Sequence, residues 1–337
     1  MKYLSLIFVL NFTLFILKAE IDTKGIPQGA TGIIYLDQEN FSLTDLYKNS
    51  NFLNPEHRLE SNKLSEFYLK ELGVKNIKDV VIGTYSIVGS ANKPFVGIFH
   101  GSFSKKKLEE FTTQNKIQSK VIHGFQSWDM TEVIESIASI NKIESVDIKD
   151  KNQVLLVVYS DDLLFFASEQ LVSRVIDTLN QKKPSHQLPS EFTDKHKNYY
   201  FGFKPWLSFY GDFTKEPAPA GLEGPRHVQV YVGEEKSLVQ FRCINDFTDE
   251  RKATNFTEQL KALKSVMIMS LNSSPDNESM SKDNKEIFTQ ILHKMEISTF
   301  KNSQKISLNY PSKKVAEIIV SSSNQSMPPE KIVKEKN

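Results

Sequence analysis

Cysteine is almost missing from this chain: Cys243 is the only one among 337 residues, so no intramolecular disulfide can form. In Val239-Gln240-Phe241-Arg242-Cys243 it alternates with Val239 and Phe241, which places it on the apolar side of a strand as a small hydrophobe. An excess of either charge is missing too. The 42 basic side chains meet 41 acidic ones, leaving no basic footprint for nucleic acid or an anionic surface. After Leu17 no apolar run approaches the roughly 20 residues of a spanning helix, so no second membrane span is expected.

Catalytic and metal signatures are equally scarce. None of the seven histidines lies in HExxH, HxH or a Cys/His pairing, and no metal or other cofactor is expected. His100 and His123 could meet only if their strands pair; His186 and His196 fall in a polar stretch and are expected in solvent. There is no GxSxG elbow, and no glycine-rich loop that would cradle a phosphate. The SxxK matches at Ser102 and Ser104 lack their SDN and KTG companions, and Ser104 before three lysines reads as a helix cap. The pairs Asp161-Asp162 and Glu234-Glu235 fall in turn-like segments, where adjacent carboxylates point apart.

What is present begins at the N-terminus. MKYLSLIFVLNFTLFILKA has a short positive start, an apolar run to Leu17 and a small residue at Ala19. That is the build of a secretory signal peptide, shorter than a spanning helix. No cysteine lies near the expected cleavage point, so no lipid anchor is expected there. The product is expected in the periplasm or secreted, with an uncleaved anchor in the inner membrane as the alternative.

Downstream, the hydrophobic period switches repeatedly between two and 3.6 residues, which predicts an α+β chain. Strands are expected at 30–37, 80–88, 95–100, 125–128, 153–159, 163–167, 199–203, 239–243 and 305–310. Helices are expected after the capping residues Ser61, Ser104, Thr131, Ser168, Thr248, Asp283 and Ser312. The strand–Phe–hydroxyl–helix plan of 95–111 recurs at 239–256, which suggests internal duplication. The predicted organisation is a signal peptide (1–19), a first α+β unit (20–183), a linker (184–197), a second unit (198–322) and a disordered tail (323–337). Each unit is expected to be an antiparallel sheet with helices packed on one face.

One composition anomaly stands out. Within YYFGFKPWLSFYGDF (199–213), eight of fifteen side chains are aromatic. Tyr199, Phe201 and Phe203 alternate as core residues would. Trp206 and Tyr210, with nearby Arg226, are the candidate ligand-binding residues, because an exposed aromatic shelf grips sugars or peptides.

Three landmarks carry a resemblance. Ile26-Pro27-Gln28-Gly29-Ala30 leads into a strand ending at Asp37, and GVKNIKDVV (73–81) leads into Gly83. The strand–Phe–Ser–helix segment at 95–111 is the third. Together they resemble a family of exported bacterial proteins of unknown function, with an irregular 205–227 segment where that family would carry a helical connection. The resemblance implies export and a two-unit α+β body, and brings no catalytic residues. The expectation is a non-enzymatic binding or structural module of the bacterial envelope, its ligand a polysaccharide or protein, not nucleic acid. The competing class is an envelope hydrolase whose site is built from dispersed residues.

Overall fold

The computed structural model describes residues 21–53, 74, 76–86, 94–131, 153–197, 201–214, 224–273 and 282–325. The expected signal peptide, the helices opened by Ser61 and Thr131 (beyond Thr131 itself) and the tail after 325 lie outside the described residues.

The fold is α+β. Its strands are β1 (Gly32–Asp37), β2 (Asn76–Thr84), β3 (Phe95–Ser102), β4 (Ser119–Ile122), β5 (Phe125–Asp129), β6 (Val154–Ser160) and β7 (Leu163–Ser168) in the first half. The second half supplies β8 (Pro205–Asp212), β9 (His227–Glu235), β10 (Leu238–Asp246), β11 (Glu296–Phe300) and β12 (Ser303–Pro311). All twelve join one antiparallel sheet in the order β11-β12-β10-β9-β8-β1-β2-β3-β7-β6-β5-β4. The strands of each half are contiguous in that order. The halves meet where β1 pairs with β8, Ile34 opposite Phe209.

Eight helices fall among the described residues: α1 (Gln38–Ser42), α2 (Asp45–Leu53), α3 (Lys105–Gln114), α4 (Glu169–Leu179), α5 (Ser190–Lys197), α6 (Glu250–Ser273), α7 (Lys282–Lys294) and α8 (Ser312–Gln325). They cover both faces of the first-half strands rather than one. The reason is in β6, where the run Val154-Leu155-Leu156-Val157-Val158 is buried throughout and so offers an apolar set to each side. Leu155 and Val157 join Tyr35, Val81, Ile98 and Phe165 beneath α4, whose Leu171, Val172, Val175 and Ile176 form the expected stripe. Leu156 and Val158 face Val80, Ile82, Phe99 and Leu108, the last on α3.

Several local expectations are met by the chemistry foreseen. The Ser104 hydroxyl accepts from the Lys107 N–H at 3.4 Å, capping α3. Asp161 and Asp162 form the tip of the β6–β7 hairpin, where their carbonyls accept from Phe103 and Gly101 N–H. Cys243 is buried on β10, and burial pushes its thiol up to about 11.

Others differ. The strand expected at 199–203 is β8, beginning at Pro205, and a bulge between Pro205 and Leu207 offsets its start. A proline is tolerated there because it opens the strand. Helix α6 is capped by Asp249, not Thr248: Asp249 Oδ1 accepts from Lys252 N–H at 2.9 Å, which moves the helix start one residue on. The stretch read as a linker contains α5, whose Phe192 is fully buried against Tyr210 and Tyr231.

Candidate functional site

The strand register collects ionisable groups on one row of the sheet. Asp37 on β1 lies opposite Asp79 on β2, and Asp79 lies opposite His100 on β3. Lys204, just before β8, completes the row with its ammonium 3.0 Å from Asp37 Oδ2. Asp37 is fully buried, and its Oδ1 accepts from the Asn40 N–H at 2.9 Å, capping α1. Asp79 Oδ1 is 2.7 Å from His100 Nδ1.

Burial sets the electrostatics of this row. It raises the Asp37 carboxyl above its ordinary range, against the Asn40 N–H and Lys204, which lower it. Glu39, on α1, is raised by burial and then by the Asp37 charge. For His100 burial works downward, but the hydrogen bond and charge of Asp79 outweigh it and the imidazole ends above its usual value. The row ties β1, β2 and β3 of the first half to the chain entering β8.

A second polar group lies on the same side of the sheet, around α5. His196 Nδ1 is 2.9 Å from Ser208 Oγ, and the imidazole meets the Tyr35 ring edge-on at 5.0 Å. Lys195 reaches Glu191 at 2.6 Å, and Tyr231 donates to Gln229 Oε1 at 3.0 Å. His196 is thus a buried interior residue and not the solvated one expected. The polar run around it hid the helix that carries it inward. His186 is half-buried, and burial lowers its imidazole pKa.

The other histidine expectation is settled by topology. β3 is flanked by β2 and β7, while His123 occupies the β4–β5 turn at the far end of the sheet. The two do not meet, and His123 faces Asp177 at 3.4 Å instead. Glu234, set aside as a turn carboxylate, has a structural role: its two oxygens accept from Asp45 and Leu46 N–H at 2.7 and 2.9 Å, at the start of α2. Nothing in local sequence pattern links residue 234 to residue 45.

The aromatic candidates are dispersed. Tyr210 is buried, its ring 5.5 Å from Phe192 and 6.0 Å from His227, and burial pushes its phenol up to about 12. Trp206 is half-buried and lies against Phe41 at 4.5 Å. Arg226 is exposed beside Phe213, past the other end of β8. Trp206 and Arg226 are therefore about 20 Å apart along the strand direction, too far for one small ligand.

Two cavities among the described residues bear on function. One is an apolar space of about 20 Å³ between α3 and the sheet, lined by Val74, Phe99, Phe103, Leu108 and Phe166 among others. The other is an open polar cleft bordered by Asn40, Asp45, Glu234 and Ser237.

Among the described residues, the largest group of exposed apolar side chains on one element is on α6. Its inner face, Ala253, Phe256, Thr257, Leu260, Lys264 and Ile268, follows helical spacing toward the sheet. From Leu263 onward the outer side is apolar as well. Leu263, Val266, Met267 and Met269 are 54%, 55%, 45% and 61% exposed. The helix is held in place from within: Thr299 Oγ1 donates to Thr257 Oγ1 at 2.6 Å, and the Lys264 ammonium donates to the Met295 carbonyl at 2.6 Å.

No protein-family model matches the chain, and no curated protein matches it either. Among solved structures, crystal form I of TP0453 is 11% identical, with a TM-score of 0.45 over 90% of this chain and 99% of that one. Crystal form III of TP0453 is 13% identical, with a TM-score of 0.47 over 90% of this chain and 100% of that one. At this distance no site residue is carried across.

Proposed function

We propose that this chain is an exported, non-enzymatic binding module of the bacterial envelope, and that it holds a protein partner on the outer side of α6. One observation carries the reading: four large apolar side chains within seven residues of α6 face solvent on a helix whose inner face is already packed. A surface helix that is apolar on more than its packed face has a second surface to satisfy. Two of the four are methionines, whose flexible thioethers suit an adaptable protein contact better than a sugar ring. Export rests on the N-terminal apolar run and its small-residue end, and on the family resemblance.

The test is site-specific photocrosslinking in the native host, with the photoreactive residue at Met267 or Met269. A discrete adduct from both positions, and none from Lys106 on α3, is the expected result. Absence of an adduct at Leu263, Met267 and Met269 alike overturns the reading.

A further inference from the structure

The sheet ends at β11. Within the β11–β12 hairpin Phe300 pairs with Ser303 across the two-residue turn, so Phe300, Ser298 and Glu296 exchange backbone hydrogen bonds with β12. The N–H and C=O groups of Ile297 and Thr299 therefore point away from the sheet, and no strand among the described residues pairs with them. The side chains of Ile297 and Thr299 lie toward α6. Those of Glu296, Ser298 and Phe300 lie on the opposite, exposed face.

On that face charge is arranged asymmetrically. The Phe300 ring is 59% exposed and carries two ammonium groups over it, Lys305 Nζ at 4.8 Å and Lys301 Nζ at 5.5 Å from its centroid. Neither lysine has a carboxylate partner among the described residues. Glu296, at the other end of the strand, accepts from the Ser307 Oγ at 3.2 Å and interacts through space with the Arg242 guanidinium two strands in, while its outer side is left open.

We infer that β11 is a homodimer edge, at which a second copy of this chain adds its own β11 antiparallel about a two-fold axis through Ser298. That register pairs Ile297 with Thr299 of the second copy and Thr299 with its Ile297, so that all the outward backbone groups of both strands are satisfied in two reciprocal pairs. It sets Glu296 opposite the second copy's Phe300 in a non-hydrogen-bonded pair, the kind in which facing side chains come closest. Each carboxylate then meets the two ammonium groups gathered over that ring, twice by symmetry. A slip of one residue loses both matches, because it turns the inner side chains outward. Helix α6 covers β11 and β12, so the two copies of it would run about 10 Å apart, an ordinary packing distance.

Sedimentation equilibrium on the purified full chain tests this. The wild type is expected to be a dimer. Ile297→Pro removes an outward N–H without touching the β11–β12 ladder, and is expected to give a monomer with unchanged far-ultraviolet circular dichroism. Glu296→Lys is expected to weaken the dimer at least about tenfold, and Glu296→Lys with Lys305→Glu to recover much of that loss. A monomeric wild type overturns the inference. So does a dimer indifferent to both Glu296→Lys and Ile297→Pro, which would place the contact elsewhere, at the N-terminal apolar run or on α6. Because the dimer sets the two α6 helices side by side, the proposals are separated by what the Met267 adduct contains: a different protein supports the α6 reading whether or not the edge dimerises, and an adduct with this chain alone does not.

Discussion

At the residue scale the buried row is where single substitutions have the clearest sign. Asp37 is fully buried and Lys204 partly exposed, so the pair is asymmetric: losing the lysine strands a carboxylate, while losing the carboxylate frees a lysine that can reach water. Lys204→Met is expected to cost about 3–5 kcal/mol at neutral pH in urea denaturation. The deficit should shrink under acid conditions, where Asp37 protonates early because its carboxyl is already raised. His100 supplies a second, opposite-facing check. Its folded value is raised above 6.5, so its contribution is complete below that pH and is lost as pH rises through the folded value. A plot of Tm against pH is expected to fall across that window in the wild type and to flatten in His100→Gln.

Of these four residues only His100 was singled out in the sequence, and against His123 rather than Asp79; the reason is physical. Asp37, Asp79, His100 and Lys204 come together through strand register, a relation between distant segments that leaves no local pattern. Cys243 and Ser104 were legible because their roles depend only on neighbours within a few positions.

At the element scale, periodicity predicted well where one face alone is buried. The stripe of α4 and the β6–β7 hairpin follow directly from spacing and turn chemistry. It predicted poorly where a short helix is pinned by one apolar side chain. SEFTDKHK is polar at every position but one, yet Phe192 enters the core between Tyr210 and Tyr231, and His196 is buried with it. Phe192→Ala is accordingly expected to cost about 3–5 kcal/mol, read as a shifted urea midpoint. A solvated linker would leave the midpoint where it was. The aromatic cluster misled for the related reason that composition counts rings without saying which way they point. The bulge at the start of β8 and the pairing with β9 divide Trp206 from Tyr210 and Arg226.

At the scale of the whole molecule, the α+β class was legible and the continuity of the sheet was not. One core contains Tyr35, Val81 and Phe165 from the first half and Phe192, Phe203, Tyr210 and Tyr231 from the second. The last helix, α8, packs against α2 near the beginning of the chain. A sequence read as two units predicts halves that fold separately, whereas a shared core predicts dependence. Fragments cut between Gln187 and Leu188 are therefore expected to lack cooperative unfolding transitions alone and to regain one when mixed, by differential scanning calorimetry. Two independent transitions from the separate pieces would favour autonomous units.

The β1–β8 seam also governs when folding can finish. Among the described residues β1 is the first strand made and lies mid-sheet, yet one of its edges waits for residues 205–212, about half the chain later. Pairing so remote in sequence is slow to form, since loop closure is paid in full before any contact rewards it. Until then β2 can dock on one side of β1 while the other side stays an open ladder. A polypeptide with this connectivity cannot lock its centre early. It remains threadable, and prone to wrong pairing, for as long as β8 has yet to arrive.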